Sequence, residues 1–390
     1  MSLKEKFDSL HTKYYQNSVV LQRFVKVFSL DVLVRASNFL LLPVYLKLMS
    51  KEEFGLFTYL YLLIQIFSLI LNFGLYLSQT KLYHDYNVEE RKSLLFTINV
   101  LLISGLTLIL VPTYFLKLDV TIIHLLITNP INYESYRLPL FLALIVSVYS
   151  MMLYTYFITS ENVKRYQLYN LVKLVIVNGA VIYLLVTSDI DSVMIRIAYG
   201  YLFELAILII FSFVYFKNMK PVFNKAMAMK AIKIGAPAMI TSLVGLIYNF
   251  SDKFILEKFG TFSDLAVYNL GFTIAGIILV IFTSFQTVYL PFFFKEKDLI
   301  KNFYKTREIG FKMSAIFIAL AVGIFLLVKL LFEINIIDMK YGSVLLILPI
   351  MLASQIFQAN IQLFSNFITY FEVVYVGTLI VFIFSGVNIL

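Results

Sequence analysis

The sequence predicts an all-α integral membrane protein, and three observations lead to this fold class. Apolar residues make up 61% of the 390 residues and charged residues only 14%, well below the roughly 25% of soluble domains. The mean hydropathy is +0.87. The apolar residues fall in runs of about 20, the length that a helix needs to cross a bilayer. A water-soluble fold has no place for this much apolar surface, because its own outer face must meet water.

Eleven of these runs are long enough to cross a membrane as helices. A transmembrane strand needs only ~10 residues, with strict alternation of apolar and polar side chains, and the runs show neither feature. We therefore predict about eleven transmembrane helices, at residues 26–48, 54–78, 93–116, 136–158, 167–187, 192–216, 233–256, 266–290, 309–332, 341–369 and 373–390.

The charges between the spans predict the orientation of the chain. With the N-terminus on the inner side, the inner segments hold eighteen Lys and Arg residues and the outer loops hold four. Positive charge concentrates on the cytoplasmic side of membrane proteins, so we expect a multi-pass protein with a cytoplasmic N-terminus. The same bias accounts for the net charge of +9, and no basic run is interleaved with aromatic residues. We therefore expect no nucleic-acid partner.

The connection 217–232 divides the predicted spans into six and five. We expect two domains, with residues 1–217 as an N-terminal six-helix bundle and 218–390 as a C-terminal bundle of five helices. Many transporters are built from repeated halves, so two pseudo-repeated helix bundles are the expected architecture. A weak internal repeat supports it, because an offset of 211 residues pairs Asn38 with Asn249, Glu53 with Asp264 and Phe57 with Tyr268.

The residue types exclude several chemistries. The chain has no cysteine and three histidines, and none of the histidines lies inside a strong hydrophobic span. This composition excludes disulfides and thiolate sites, and it argues against a histidine metal site or a buried catalytic triad. The sequence also lacks the Walker A pattern of phosphate-binding loops. We therefore expect no catalytic residue, no metal ion and no ATP hydrolysis.

Ionisable residues inside spans are functional candidates, because a charge at the bilayer centre costs ~2.5–3.5 kcal/mol. Asp31 and Arg35 lie four residues apart in the first predicted span and share a helix face, so a structural pair and a functional role are both open. Lys173 lies in the fifth span, where an interhelical partner is the alternative to a functional role. Glu204 lies at the midpoint of the sixth span, where a side chain reaches water least easily.

Three further charges, Arg196, Asp252 and Lys253, lie near the outer ends of their spans. Long cationic side chains in this position can snorkel to the interface, and a position facing a cavity is the alternative. Amide side chains also occur within spans, most densely in the tenth. They suit either sugar hydroxyls or contacts between helices, and they are Gln65, Asn72, Asn170, Asn249, Gln286, Gln355, Gln358, Asn360, Gln362 and Asn366.

Several stretches of the chain, in order, resemble a known family. They are Arg-Ala-Ser-Asn-Phe-Leu-Leu-Leu-Pro at 35–43, Ser-Lys-Glu-Glu-Phe-Gly at 50–55, Ser-Glu-Asn-Val-Lys-Arg-Tyr at 160–166, Gly-Ala-Pro at 235–237, Asp-Lys-Phe-Ile-Leu at 252–256, Val-Tyr at 267–268 and Pro291. Their order and spacing resemble those of the Wzx-type O-antigen and polysaccharide flippases, in the multidrug/oligosaccharidyl-lipid/polysaccharide exporter superfamily.

The resemblance implies a fold and an activity. Such proteins usually have twelve or more helices in two bundles around a central cavity, so we expect the C-terminal bundle of this chain, with five helices, to lack the last one. They move undecaprenyl-diphosphate-linked oligosaccharide repeat units across the bacterial cytoplasmic (inner) membrane for O-antigen, capsule or exopolysaccharide assembly. Ion-coupled alternating access is the implied mechanism, with H⁺ or Na⁺ and no other cofactor. The implied partners are the lipid-linked glycan, membrane lipids, and the polysaccharide polymerase and chain-length machinery.

The intramembrane charges fit this implied role, because an anionic diphosphate that crosses an apolar barrier needs cationic partners. The expected substrate-binding residues are Arg35, Lys173, Arg196 and Lys253, of which the first two are the leading candidates. The expected ion-coupling residues are Glu204, Asp31 and Asp252.

Three other functions stay open. A multidrug or cation exporter of the same superfamily would favour a carboxylate-rich cavity, whereas positive charges outnumber negative ones in these spans. A lipid II flippase needs the same cavity cations. A membrane glycan polymerase is disfavoured because it needs positioned catalytic groups; the longest outer loop, 117–135, offers Asp119, His124 and Glu134 without such an arrangement.

Overall fold

The computed structural model describes residues 39–371, apart from the side chains of Tyr248, Thr287, Val288, Pro291 and Thr369, and this part of the chain contains helices and no strand. The helices in chain order are α1 Phe39–Leu48, α2 Lys51–Leu71, α3 Leu75–Asp85, α4 Val88–Phe115, α5 Leu118–Leu126, α6 Tyr133–Thr159, α7 Val163–Thr187, α8 Ser192–Lys217, α9 Lys225–Phe259, α10 Phe262–Ala275, α11 Ile277–Lys295, α12 Leu299–Glu333 and α13 Val344–Tyr370.

Within residues 39–371, nine helical segments are long and apolar enough to cross a membrane, with α10 and the start of α11 counted as one. They correspond to the second through tenth predicted spans. Large apolar side chains such as Leu108, Phe213 and Ile350 remain exposed on the outside of the bundle. A bilayer removes the penalty for such exposure, and the helices satisfy their own backbone hydrogen bonds. The chain is therefore a multi-span helical membrane protein.

The first predicted span is described only in part, and the last is not described. Of the span predicted at 26–48, the structure describes α1, and the span predicted at 373–390 lies outside the described residues. The two ends of the bundle are named here after the predicted orientation. The outer end holds the connections 127–132 and 260–261, and the inner end holds 218–224.

Helices α2 and α10 begin in the same way at the outer end. The Ser50 side chain caps α2, and the Ser50 backbone N–H donates to the Glu53 carboxylate. Thr261 and Asp264 form the same capping box at α10. Such a box satisfies N–H groups that the start of a helix leaves unpaired. An offset of 211 residues relates the two boxes, so they occupy equivalent positions in the internal repeat.

The first turns of α2 and α10 are in direct contact. A Cβ atom at Gly55 would lie 1.7 Å from the carbonyl oxygen of Phe262, so the two backbones touch where Gly55 has no side chain. Next to this point, the Ser263 hydroxyl donates to the Glu52 carboxylate. We call the contact formed by these four residues the outer seam.

The second predicted span, 54–78, is wrong as a single helix. Residues 72–74 separate α2 from α3, and Phe73 and Gly74 have φ angles of 54° and 69°. Gly74 also faces the backbone of Gly235 in α9, where a Cβ would lie 2.0 Å from the Gly235 carbonyl oxygen. A left-handed conformation and a close backbone approach both favour glycine. The apolar run continues through this turn, so hydropathy does not reveal it.

Two predicted inner connections are shorter than expected. Asn224 caps α9 by accepting hydrogen bonds from the next turn, so much of 217–232 is helical. Similarly, residues 296–298 alone separate α11 from α12, where the prediction placed a connection at 291–308. Hydropathy marks the part of a helix that lies in the hydrocarbon region, whereas these helices extend into more polar sequence.

The outer connection 117–135 contains α5, which is anchored to α6 by an ion pair. The Asp119 carboxylate accepts from the Arg137 Nε at 2.7 Å and from the Tyr133 hydroxyl at 2.8 Å. Burial alone would raise the pKa of Asp119, but the bonds from Arg137 and Tyr133 outweigh it and hold this pKa below its ordinary value. Asp119 therefore has a structural partner in this connection.

Candidate functional site

A cavity of about 760 Å³ lies between helices from both sides of the 218–224 connection. Side chains of α1, α2, α6, α7 and α8 line it on one side, and those of α9 and α10 line it on the other. Four of its lining residues are charged: Lys173, Arg196, Glu204 and Lys253. Ionisable residues within spans usually face such a cavity, so this cavity is the candidate functional site.

Arg196 enters the cavity from a distorted part of α8. Residues Ile195–Tyr199 form a π-helical turn, a feature that is frequent at functional sites. The Arg196 Cζ lies 3.9 Å from the ring centroid of Tyr45 and 4.3 Å from that of Phe57. The buried Arg196 Nε has no hydrogen-bond acceptor among the described residues. Cation–π contacts favour a buried cation, but they leave its positive charge unneutralised.

Lys173 and Glu204 form an ion pair across α7 and α8. The Lys173 Nζ lies 2.5 Å from the Glu204 Oε1. The Ser150 hydroxyl donates to the same oxygen at 2.7 Å, and the Tyr169 hydroxyl donates to Ser150 at 3.0 Å. The Glu204 side chain is 8% exposed and the Lys173 side chain 38%. The lysine thus faces the open space, and the carboxylate lies behind it.

Lys253 is the cation on the α9 side of the cavity. Its Nζ donates to the Asn269 Oδ1 at 2.5 Å and lies 4.9 Å from the ring centroid of Phe250 and 5.4 Å from that of Phe272. Its side chain is buried. In the described part of the chain, neither Lys253 nor Arg196 forms an ion pair. Among residues 39–371, these two cavity cations therefore have no ion-pair partner.

The structure brings four of the seven predicted site residues to the cavity: Lys173, Arg196, Lys253 and Glu204. Asp252 lies beside the cavity and does not line it, and its carboxylate accepts from the Tyr268 hydroxyl. Arg35 and Asp31 lie outside the described residues.

The predicted cations differ in the partners that the structure gives them. Lys173 was a leading candidate, yet it is the cavity cation whose charge a carboxylate neutralises. Arg196 and Lys253 also line the cavity, and neither has a carboxylate partner among the described residues. A cation without such a partner is free to bind an anionic group.

Several cavity residues were missed by sequence reasoning. Tyr45 donates to the Asn178 Oδ1 at 2.7 Å, and Asn269 holds Lys253. On α2, the exposed ring of Tyr61 stacks on Phe57 at a centroid distance of 6.0 Å. The helical spacing of the aromatic residues on α2 was the available signal. Apolar lining at the same spacing also fits a lipid-facing or core stripe, so this signal does not identify a cavity.

The amide side chains divide between the two roles that the sequence left open. Gln65 lines the cavity. In the second half of the chain, Gln286 donates to the Asn366 Oδ1 at 2.7 Å, and Asn360 donates to the Ser314 hydroxyl at 2.9 Å. These bonds join neighbouring helices, as polar side chains commonly do within membranes.

A buried carboxylate anchors the outer end of α9. The Glu257 Oε1 accepts from the backbone N–H groups of Thr128 at 2.7 Å and Asn129 at 2.9 Å. Glu257 is 1% exposed, and the Thr128 hydroxyl donates to its Oε2 at 3.1 Å. We call these three residues the outer anchor. The anchor ties the connection between α5 and α6 to α9 near the outer seam.

These features define a class of protein: a multi-span helical membrane protein with a cavity between its helices. Three of the four charged residues that line this cavity are cations. The chain belongs to the polysaccharide biosynthesis protein family, whose model matches residues 20–297. This range includes every residue that lines the cavity. The searches of curated proteins and of solved structures gave no significant match to the chain.

Proposed function

We propose that the protein is a flippase that translocates undecaprenyl-diphosphate-linked oligosaccharide repeat units across the bacterial cytoplasmic membrane. The units would serve O-antigen, capsule or exopolysaccharide assembly. The observation that supports this proposal is that Arg196 and Lys253 line the cavity of a polysaccharide biosynthesis family member and have no ion-pair partner among the described residues. In this role the protein is a transporter, because it makes and breaks no covalent bond.

The charge of the cavity matches a diphosphate-linked substrate. Glu204 neutralises Lys173, so Arg196 and Lys253 remain for a ligand. A diphosphate bridge between lipid and sugar carries one negative charge on each phosphate. Hydrogen bonds to charged groups contribute roughly 1.5–3 kcal/mol each, and arginine suits phosphate especially well because its donors form a planar fork. Two free cations and two phosphate charges therefore leave the occupied cavity close to neutral.

The remaining cavity wall suits the glycan part of the substrate. Gln65, Ser68, Asn178 and Thr273 offer amide and hydroxyl groups, which can exchange hydrogen bonds with sugar hydroxyls. Tyr61 adds an exposed aromatic face. In this arrangement the polyprenyl tail stays in the bilayer, because apolar chains gain nothing from leaving lipid for a polar cavity.

Alternating access coupled to an ion gradient completes the proposal. Glu204, Asp31 and Asp252 are the proposed coupling residues for H⁺ or Na⁺, and Arg35 is proposed to add a positive charge on the substrate path. In the proposed cycle, the outer seam closes the outer end, and its separation releases the substrate outward. Polymerase and chain-length proteins are the proposed partners that receive the translocated unit.

A cation exporter is disfavoured by the same cavity, because cationic ligands need unneutralised carboxylates. Among the charged lining residues, Glu204 is the carboxylate, and Lys173 already neutralises it. A lipid II flippase would use the same cations. The identity of the lipid that accumulates in a deletion strain distinguishes this function from the proposed one.

The test is complementation of a strain deleted for this gene with Arg196→Ala and Lys253→Gln variants. The expected result is accumulated lipid-linked repeat units and at least about tenfold less surface polysaccharide, since one charge-assisted contact is worth ~1.5–3 kcal/mol. Lys312→Gln is the matched control, because this lysine is exposed and pairs with Glu308 on its own helix. Protein levels are compared by immunoblotting of membranes.

Normal export by both cavity variants would contradict the proposed anion site. Unchanged lipid and polysaccharide pools in the deletion strain, with altered drug sensitivity, would indicate an exporter. Accumulation of lipid II would assign the flippase to cell-wall synthesis.

A further inference from the structure

The Lys173–Glu204 pair lies on the wall of the cavity, where an anionic ligand would meet the same ammonium group. We propose that Glu204 is an intramolecular competitor, whose carboxylate holds Lys173 until an anionic diphosphate displaces it. This inference rests on the proposed function, because it takes the ligand to be an anion. It assigns Glu204 a role in setting the affinity of the site, separate from ion coupling.

The exposures of the two partners permit such an exchange. The Lys173 side chain is 38% exposed and faces the cavity, whereas the Glu204 side chain is 8% exposed. A ligand can therefore approach the ammonium group without first moving the carboxylate. An ammonium group has three donors, so Lys173 can begin to bind a phosphate oxygen before its bond to Glu204 breaks.

The carboxylate keeps a hydrogen-bond partner after the exchange. Ser150 donates to the Glu204 Oε1 at 2.7 Å, and Tyr169 holds Ser150 in place through a bond of 3.0 Å. A buried carboxylate that lost every partner would be strongly destabilised. The Ser150 bond reduces this penalty, so Glu204 can remain where it is while Lys173 turns to the ligand.

Arg196 places a ligand close to this pair. Arg196 and Glu204 lie eight residues apart on α8, which corresponds to about two turns and ~12 Å along a helix. Tyr61 of α2 lines the same cavity as Arg196 and Lys173. An anion anchored on Arg196 therefore lies in a space that Lys173 also lines.

A competing carboxylate has two physical consequences. It neutralises Lys173 within the membrane, where an unpaired cation is costly. It also limits the affinity for the ligand, because the ligand gains a bond to Lys173 only by replacing the bond to Glu204. A transporter must release its substrate as well as bind it, and this exchange keeps the added cation from holding the substrate too tightly.

The test measures binding of farnesyl diphosphate to the purified full chain in detergent, by equilibrium dialysis of radiolabelled probe. The variants are Glu204→Gln, Lys173→Gln and the double variant. The exposed Glu333→Gln serves as a control that removes the same charge away from the cavity. Coupling between close charges commonly exceeds a tenfold effect. We therefore expect Glu204→Gln to bind about tenfold more tightly, the double variant to lose this gain, and the control to match the unaltered chain.

A second variant keeps the test independent of folding defects in Glu204→Gln. Glu204→Asp retains the charge but shortens the side chain by one methylene, about 1.5 Å, which breaks the 2.5 Å contact with Lys173. We expect an intermediate gain in affinity. Folding of each variant is checked by size-exclusion chromatography and thermal melting.

The possible results separate this inference from the proposed function. If the unaltered chain binds the probe, and neither Glu204 variant binds it more tightly, Glu204 is not a competitor and the cationic site stands. If the gain persists in the double variant, it does not act through Lys173 and the inference also fails. If neither the unaltered chain nor any variant binds the diphosphate, the cationic site itself is overturned together with the inference.

Discussion

Substitution of Gly55 by alanine tests whether the backbones of α2 and α10 are in direct contact at the outer seam. The added Cβ would lie 1.7 Å from the Phe262 carbonyl oxygen and 2.5 Å from its carbonyl carbon. A carbon–oxygen contact normally needs ~3.3 Å or more, so the helices must separate locally by about 1.5 Å. Both sides of the clash are held by helix backbone, and rotation of a side chain cannot relieve it. Overpacking of this kind costs roughly 1–3 kcal/mol.

Gly179→Ala is the matched control, because a Cβ at Gly179 would have no atom within 4 Å. Alanine is favoured over glycine within helices by up to ~1 kcal/mol, so this variant should be as stable as the unaltered chain or slightly more stable. The two Gly→Ala changes are therefore expected to shift the melting temperature in detergent in opposite directions.

Cysteine cross-linking measures the seam directly. The chain contains no cysteine, so Glu52→Cys and Ser263→Cys introduce the two thiols that a cross-linker can join. The native side chains are hydrogen-bonded in the structure, so a short thiol-specific cross-linker should join the two cysteines. Adding Gly55→Ala should reduce the cross-linked fraction, and adding Gly179→Ala should not. Equal cross-linking and equal melting temperatures in the two backgrounds would refute the close backbone contact at Gly55.

The outer anchor and the α5–α6 ion pair give two further predictions. Glu257→Ala leaves the N–H groups of Thr128 and Asn129 without their buried acceptor, at roughly 1–3 kcal/mol each, whereas Glu257→Gln retains an acceptor. Thermal melting should therefore show a much larger loss for alanine, and equal losses would contradict the anchor. Burial opposes the charge on Asp119, but bonds from Arg137 outweigh this effect and lower its pKa. Its stabilising contribution is thus present at neutral pH and lost as pH falls through that lowered pKa. Asp119→Asn should lower the melting temperature at neutral pH and flatten its decline in acid; an unchanged pH profile would count against the ion pair.

The sequence predicts most of the transmembrane helices because the bilayer imposes a simple length requirement. A run of about 20 apolar residues identifies a span whatever its neighbours are, and nine such spans occur among residues 39–371. The turn between α2 and α3 does not follow this rule. At this turn Gly74 contacts the backbone of Gly235, and no local pattern predicts that two distant glycines meet.

The candidate site is likewise predictable in its residue types and not in its pairings. Lys173, Arg196 and Glu204 stand out because a charge within a span needs a reason. The partner of Lys173 lies 31 residues away on another helix. Arg196 packs on Tyr45 and Phe57 from two other helices. Pairings of this kind depend on tertiary packing. The sequence therefore identifies these charged residues as candidates but does not predict which of them form ion pairs.

Two aromatic residues that the sequence offset relates contact groups of opposite charge. Phe57 in α2 and Tyr268 in α10 are related by the offset of 211 residues, but one contacts a cation and the other an anion. The Phe57 ring faces the Arg196 cation, whereas the Tyr268 hydroxyl binds the Asp252 carboxylate beside the cavity. An aromatic face attracts a cation, and a phenolic hydroxyl can donate to an anion. Tyr268 differs from Phe57 by a hydroxyl group. This hydroxyl binds a carboxylate beside the cavity, whereas the Phe57 ring contacts a cation that lines the cavity.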